Sequence, residues 1–333
     1  MVAHNDRFSR RTFAALGLGA SAGLLAATRS VTAQDASPAA SPEVAEAGAF
    51  ENTGFTEVVV TAAQYTYSAS VPGAMGEGWY IFTLVNETES VADLNLGLLP
   101  EGTTGSDLSS TLATAFQGEG GELPEWWTSA LFAGGGVAGP GESTSSLVYL
   151  TPGKWYMFST NPASTQSPAS FTIQTPEELE ANEGIIATPT ASPVGVGTPG
   201  ATPEIAGLVN PEGVTAAVSI EVTENQIVPN GAPTGGEQVL QITNTGDQVR
   251  DMIILQTEET LDEAGAVALA TSWIRGEETN ATVAGGVGAL SPGWTAFTEV
   301  DVQPGNYVVF SAMPDANGGL QVENGIITTF SGQ

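Results

Sequence analysis

The 333-residue chain has no cysteine. That excludes disulfides, thiolate nucleophiles and thiolate metal ligands, so stability must come from packed cores. Histidine is nearly absent too: the one copy, His4, stands at the N-terminus. A Ser-His-Asp triad or a His-ligated zinc therefore has nothing to be built from in the rest of the chain. Basic residues are scarce, seven Lys and Arg against 37 Asp and Glu, for a net charge of −30. Such a surface repels nucleic acid and anionic lipid, because phosphate binding needs Lys and Arg. There is no phosphate-binding Walker loop and no dinucleotide fingerprint. The single Gly-x-Ser-x-Gly match, Gly19–Gly23, lies in an apolar N-terminal stretch and reflects small-residue composition. That stretch, Phe13–Ala27, is shorter than the roughly 20 apolar residues a spanning helix needs. No second run of that kind follows, so no membrane insertion is expected once the N-terminal segment is removed.

What is present begins with an address. Ser9-Arg10-Arg11-Thr12-Phe13 reads as a twin-arginine export signal, and Val31-Thr32-Ala33 as its small-residue cleavage site. Residues 1–33 are thus expected to be a signal peptide and the protein to work outside the cytoplasm. Four of the seven cations, Arg7, Arg10, Arg11 and Arg29, but only one carboxylate, Asp6, lie in that segment. The remainder is more acidic still, which suits solubility outside the cell or attraction of a divalent cation or basic partner. Residues 34–52, rich in Ala, Ser and Pro, read as a disordered tether. Residues 175–210, containing ATPTASPVGVGTPGATPE, read as a semi-extended linker whose Thr-Pro and Ser-Pro steps could carry O-glycans.

Two domains remain, 53–174 and 211–333, and they are copies of one another. PGKWYMFS (Pro152–Ser159) matches PGNYVVFS (Pro304–Ser311). Upstream of each lie an Asn turn (Asn86, Asn244), a helix-like stretch, and a Gly-rich turn (Ala133–Gly141, Ala284–Gly293). The apolar period is mostly two, so strands are expected at Gly78–Asn86 and Gln238–Asn244, with Pro304-Gly305 turning one strand into the next. Leu108, Leu112 and Phe116, spaced by four, mark a helix from near Ser106. Thr260 to Glu263 forms a capping-box pattern that opens a second helix running to Ile274. Short strands with Gly and Pro turns at 8–12-residue spacing predict an all-β fold of two Greek-key sandwiches, each with one short helix insertion.

The second domain resembles the cupredoxins, the plastocyanin-like family. The likeness is carried by NTGDQVRDMIIL (Asn244–Leu255), VAGGVGALSPG (Val283–Gly293), VQPGNYVVFSAMPDANGG (Val302–Gly319) and LQVENGIITTF (Leu320–Phe330). The first domain matches over Leu84–Gly102, Leu123–Trp127, its Gly-rich segment and its Pro-Gly strand, but its loop Asn161–Ser170 has no ligand-bearing counterpart. The resemblance implies copper and electron transfer, yet the ligands are missing. The first His position is Arg250 in one copy and Ala92 in the other; the Cys position is Ser311 and Ser159. The second His is Gln321 and the axial Met is Ile326. Hydroxyl, amide and guanidinium groups do not replace soft thiolate and imidazole for copper, so no cofactor is expected.

The remaining candidates are few. Arg250 could pair with Asp251 or Glu323, or bind an anion in the old metal pocket. Met252 and Met313 stand near the same end and read as core fillers. Trp126 and Trp127 would form a contact platform if exposed, although large aromatics are more often buried. Asp315–Gly318 with Glu323 could hold calcium, but Pro-Asp-x-Asn-Gly is first a turn composition. Glu177, Glu178 and Glu180 read as a solvated charge run. The expectation is an exported, non-catalytic binding or structural protein with an unidentified partner. Its alternatives are a copper protein and a hydrolase using two carboxylates roughly 5–9.5 Å apart.

Overall fold

A computed structural model of the chain describes residues 48–50, 53–71, 73–116, 122–161, 166–181 and 211–332. The expected signal peptide and cleavage site, residues 34–47 of the expected tether and the linker's Thr-Pro and Ser-Pro steps lie outside the described residues. Repeat 1 runs β1 (Thr56–Ala63), β2 (Thr66–Ser70), β3 (Met75–Gly76), β4 (Gly78–Asn86), β5 (Ala92–Asp93), β6 (Asn95–Leu98), α1 (Gly105–Phe116), β7 (Leu131–Gly134), β8 (Val137–Ala138), β9 (Ser143–Leu150), β10 (Gly153–Phe158), β11 (Ala169–Gln174) and α2 (Pro176–Ala181). Repeat 2 runs β12 (Val218–Val222), β13 (Ile227–Asn230), β14 (Gly236–Asn244), β15 (Arg250–Thr257), α3 (Glu263–Ile274), β16 (Thr282–Leu290), β17 (Thr295–Val302), β18 (Gly305–Phe310) and β19 (Ile327–Gly332). Among the described residues no helix is long and apolar enough to cross a membrane.

The fold is all-β, two large sheets packed face to face with a small two-stranded sheet of β5 and β8, and the expected strands are present. Alternating burial along β1 and the nearly continuous burial of β4 set the register, because a one-residue slip would turn β1's Val58 and Val60 to solvent. The same wiring recurs in each repeat. β1 runs parallel to β4, and β12 parallel to β14; Ala62 pairs with Asn86 as Val222 pairs with Asn244. Both asparagines are buried and close their turns alike. Asn86 Nδ2 donates to the Ser90, Ala138 and Gly139 carbonyls, and Asn244 Nδ2 to those of Gln248 and Leu290.

The repeats do not hang on a flexible tether. They cluster as one unit, and each sheet runs unbroken through both: β13-β12-β14-β17-β9-β4-β1-β2 and β19-β18-β15-β16-β7-β6-β10-β11-β3. In the first sheet Ser146 pairs with Thr298, its own counterpart by strand register. In the second, Gly136 bridges Val287, its counterpart in the Gly-rich segment. A residue facing its own equivalent is the mark of an isologous junction, here a pseudo-two-fold inside one chain. Aromatics fill it: Trp294 meets Trp155 and Tyr149 at 6.3 and 6.5 Å between centroids, and Phe297 meets Trp79 at 5.8 Å. Each such side chain removes about 150–250 Å² from water.

Three expectations are corrected here. The Gly-rich segments are strands β7, β8 and β16 at the junction, with a turn only beyond them. A Cβ at Gly135 would lie 2.0 Å from the Leu94 carbonyl oxygen, and one at Gly286 2.3 Å from that of Met252. Glycine is needed there for close strand approach and φ near +140°. The α3 cap is Asp262, whose side chain accepts from the Gly265 N–H, two residues later than the box starting at Thr260. Finally, the linker is not extended throughout. Pro176–Ala181 is helix α2, packed on β3 and β11, with Glu177, Glu178 and Glu180 in it.

Candidate functional site

The positions that match the family's copper ligands lie around the starts of β5 and β15 and the ends of β10 and β18. In repeat 2 they enclose Asp251, which the sequence offered only as a candidate partner of Arg250. It is 2% exposed, and its Oδ1 accepts from Ser311 Oγ at 2.7 Å, Ala312 N at 2.7 Å and Met313 N at 3.2 Å. Ser311 Oγ also lies 2.7 Å from Gln321 Oε1. Gln321 donates its Nε2 to the Val249 and Pro314 carbonyls, which orients Oε1 toward the serine. The serine thus has one hydroxyl proton for two acceptors. A proton on Asp251 resolves the shortage. Burial indeed pushes this carboxyl up to about 6, the serine and backbone donors opposing and the charge of Asp93 adding. Ile326 is buried beside this network, its carbonyl accepting from Ser311 N.

Repeat 1 has the same device. Asp93, also buried, accepts from Ser159 Oγ, from Thr160 N and Oγ1 at 2.6 Å each, and from Asn95 Nδ2 at 2.8 Å. Asn95 reaches further, its Oδ1 accepting from the Ala289 N–H of repeat 2 at 2.7 Å. Ala92 forms a short buried bridge to Ala138 and takes no part. The two networks meet across a cavity of about 10 Å³, lined by Asp93, Thr160 and Asn161 from one repeat and Ile253, Trp273, Ile274 and Ala312 from the other. That is room for about one water. The signal for the pair was in the sequence: the repeats read Val91-Ala92-Asp93 and Val249-Arg250-Asp251, so the shared residue is the aspartate, not the ligand position.

The contact candidates fare differently. Arg250 is 3% exposed and pairs with neither Asp251 nor Glu323. Its Nη2 donates to the Glu224 carbonyl at 3.1 Å and lies 3.8 Å from the Glu224 carboxylate, while its Nε has no partner. Desolvation pulls its pKa down, and the charges of Glu224, Asp247, Asp251 and Asp315 oppose that shift. Four surrounding carboxylates make this a poor seat for an anion. Glu323 pairs instead with Arg275 at 3.5 Å. Trp127 is 4% exposed and packs on Phe132, and half-buried Trp126 packs on Trp127, so they offer no exposed platform. Met313 belongs to the same cluster and Met252 to the main core. Asp315 caps its own turn, accepting from Asn317 N and Gly319 N. Among the described residues no three His, Cys, Asp or Glu side chains are arranged to hold a metal ion.

The chain is similar to a set of solved copper proteins. The reduced auracyanin of the photosynthetic bacterium Roseiflexus castenholzii is 17% identical, covers 36% of this chain and 99% of its own, and has a TM-score of 0.26. The copper nitrite reductase of Nitrosomonas europaea is 11% identical over 84% of this chain and 94% of its own, with a TM-score of 0.21. No protein-family model and no curated protein matches the chain. TM-scores this low add nothing to the strand order and register above, which themselves establish the all-β sandwich. A type 1 copper site does not fit the residues present: Arg250, Ser311, Gln321 and Ile326, like Ala92 and Ser159, supply neither thiolate nor imidazole.

Proposed function

We propose that the chain is an exported, non-catalytic protein on a tandem cupredoxin-like scaffold, in which the ligand positions have passed from metal binding to closing a buried polar network inside each repeat. The observation that carries this reading is the paired Asp–Ser network. Ser159 and Ser311, at the cysteine positions, each bind the aspartate that follows the first histidine position. Each aspartate also accepts the backbone N–H of the next residue, Thr160 or Ala312. The donors close on internal acceptors, so no open coordination position faces solvent. Asp93 and Asp251 are the buried carboxylates a hydrolase would need. The space between their networks admits about one water and no sugar or peptide. Its role is then structural or partner-binding, through the acidic outer surface and not through a reactive centre.

Elemental analysis of the purified protein, followed by copper titration read by thermal unfolding, tests this. No stoichiometric copper and an unchanged Tm are expected. A metal bound to the native state must raise Tm, so a rise at equimolar copper would overturn the reading and restore the copper-protein alternative.

A further inference from the structure

The internal repeat provides a control for every position, and at the outer end of repeat 2 the two copies differ in volume. A cavity of about 160 Å³ lies between the sheets there, lined on one side by Ile220, Ile227 and Pro229 and on the other by Val309, Thr328 and Phe330. Strand registers fix the counterparts in repeat 1. Ile227 pairs with Val222 as Tyr67 pairs with Ala62, and Val309 pairs with Thr328 as Met157 pairs with Ala169. Where repeat 2 has Ile and Val, repeat 1 thus has Tyr and Met. Tyr67 and Met157 are both buried, and the Tyr67 hydroxyl reaches the Asp93 carbonyl at 2.6 Å. Repeat 1 also carries the short strand β3 outside β11, with Met75 buried and Leu179 against Gly76. Repeat 1 is filled by its own phenol ring and thioether; repeat 2 lacks both.

We infer that this cavity is a binding site for a free small molecule carrying one apolar aromatic ring, about the size of toluene. Three observations support that occupant. The space stands where repeat 1 places an aromatic ring. Its floor of Ile220, Ile227 and Val309 is buried and apolar, and an apolar cavity of about 150 Å³ accepts benzene. Its mouth is open to solvent between the edge strands β13 and β19, where Pro229, Ala232 and Thr329 are exposed. The polar side chains in the lining are the hydroxyls of Thr328 and Thr329, so a charged ligand would lose its hydration without a partner. The inference does not depend on the reading of the metal positions, and its test does not involve copper.

Toluene is titrated into the intact protein while Tm and the methyl NMR signals are followed. At ten times its Kd, toluene should raise Tm by roughly 2–4 °C, and shifts should concentrate on the Ile220, Ile227 and Val309 methyls. Ile227→Tyr restores the ring of repeat 1 and should abolish both effects. Val309→Met fills the cavity from the other sheet and should weaken binding at least tenfold, which keeps the test decisive if the tyrosine variant does not fold. Absence of a Tm rise in the native chain would overturn the inference. So would an unchanged response in a folded filling variant, or methyl shifts spread evenly over the protein.

Discussion

The two crossings of the repeat junction are equivalent by pseudo-symmetry but differ in chemistry. At one, Val137 of repeat 1 joins the apolar cluster that holds Ile253 and Phe310 of repeat 2. At the other, Gly288 stands at the counterpart of Val137 and Asn95 at that of Ile253. There the contact is polar, with Asn95 Oδ1 accepting from Ala289 N–H and Asn95 Nδ2 donating to Asp93. One side of the junction is thus joined by packing and the other by a directional bond that fixes register. The choice has a consequence for the buried acids. Asp93 receives donors from Asn95 Nδ2 and Thr160 Oγ1. Ile253 and Ala312, at the same places beside Asp251, offer no side-chain donor. Burial is the main physical reason the Asp251 carboxyl titrates high, opposed only by the Ser311 hydroxyl and the Ala312 and Met313 N–H groups.

The most damaging way to break the comparison is to give Gly288 a side chain. A Cβ there would lie 2.6 Å from the Leu94 carbonyl oxygen and 2.7 Å from Asn95 Oδ1. Backbone cannot yield as a flexible side chain does, so Gly288→Ala must push the repeats apart or displace Asn95. A loss of about 3 kcal/mol is expected in denaturant unfolding. A cost below about 1 kcal/mol would mean that this crossing does not hold the junction.

The next effect is on pH dependence. The folded-state pKa of Asp251, about 6, stands above the ordinary carboxylate value of about 3.9. Its stabilising contribution is therefore fully present below pH 4 and is lost as pH rises through 6. The loss amounts to about 3 kcal/mol on the pKa difference, at 1.36 kcal/mol per unit. Asp251→Asn keeps an oxygen for the Ala312 and Met313 N–H groups but cannot ionise. Stability measured between pH 4 and 7 should fall for the native chain and fall less for the variant. The difference isolates Asp251 from the repulsion among the many surface carboxylates. Parallel curves would place its pKa near the unfolded value.

Many strand positions and the helices α1 and α3 were legible in the sequence because period-two burial, Asn turns, four-residue apolar spacing and the Pro-Gly step are local patterns. The β4 strand expected at Gly78–Asn86 has those bounds in the structure. The junction was not legible. Glycine signals turns in isolation, and only the approach of Leu94 and Met252 shows that Gly135 and Gly286 serve strand contact. The site was half legible. Ser159, Ser311 and Gln321 were singled out by matching the lost ligands, and they do take part in the networks. Asp93 went unseen and Asp251 was weighed only as a partner of Arg250, because no ligand position maps to either, and Asn95 was missed because its acceptor role spans nearly 200 residues of sequence. Arg250 drew attention as a rare cation. Its partner, Glu224, lies on the turn between β12 and β13 and is far from it in sequence.

The smallest effect sharpens the contrast. Thr160 bonds Asp93 through both its amide and its hydroxyl, whereas Ala312 bonds Asp251 through the amide alone. Ala312 borders the small junction cavity of about 10 Å³, so Ala312→Thr can direct a hydroxyl toward Asp251 with modest adjustment. A hydrogen bond to a charged acceptor contributes about 1.5 kcal/mol, and it stabilises the ionised carboxyl over the neutral one. The variant should lower the pKa of Asp251 and remove about 1.5 kcal/mol of the stability lost between pH 4 and 7. If instead the variant is destabilised equally at both pH values, overpacking outweighs the new donor and the hydroxyl does not reach Asp251.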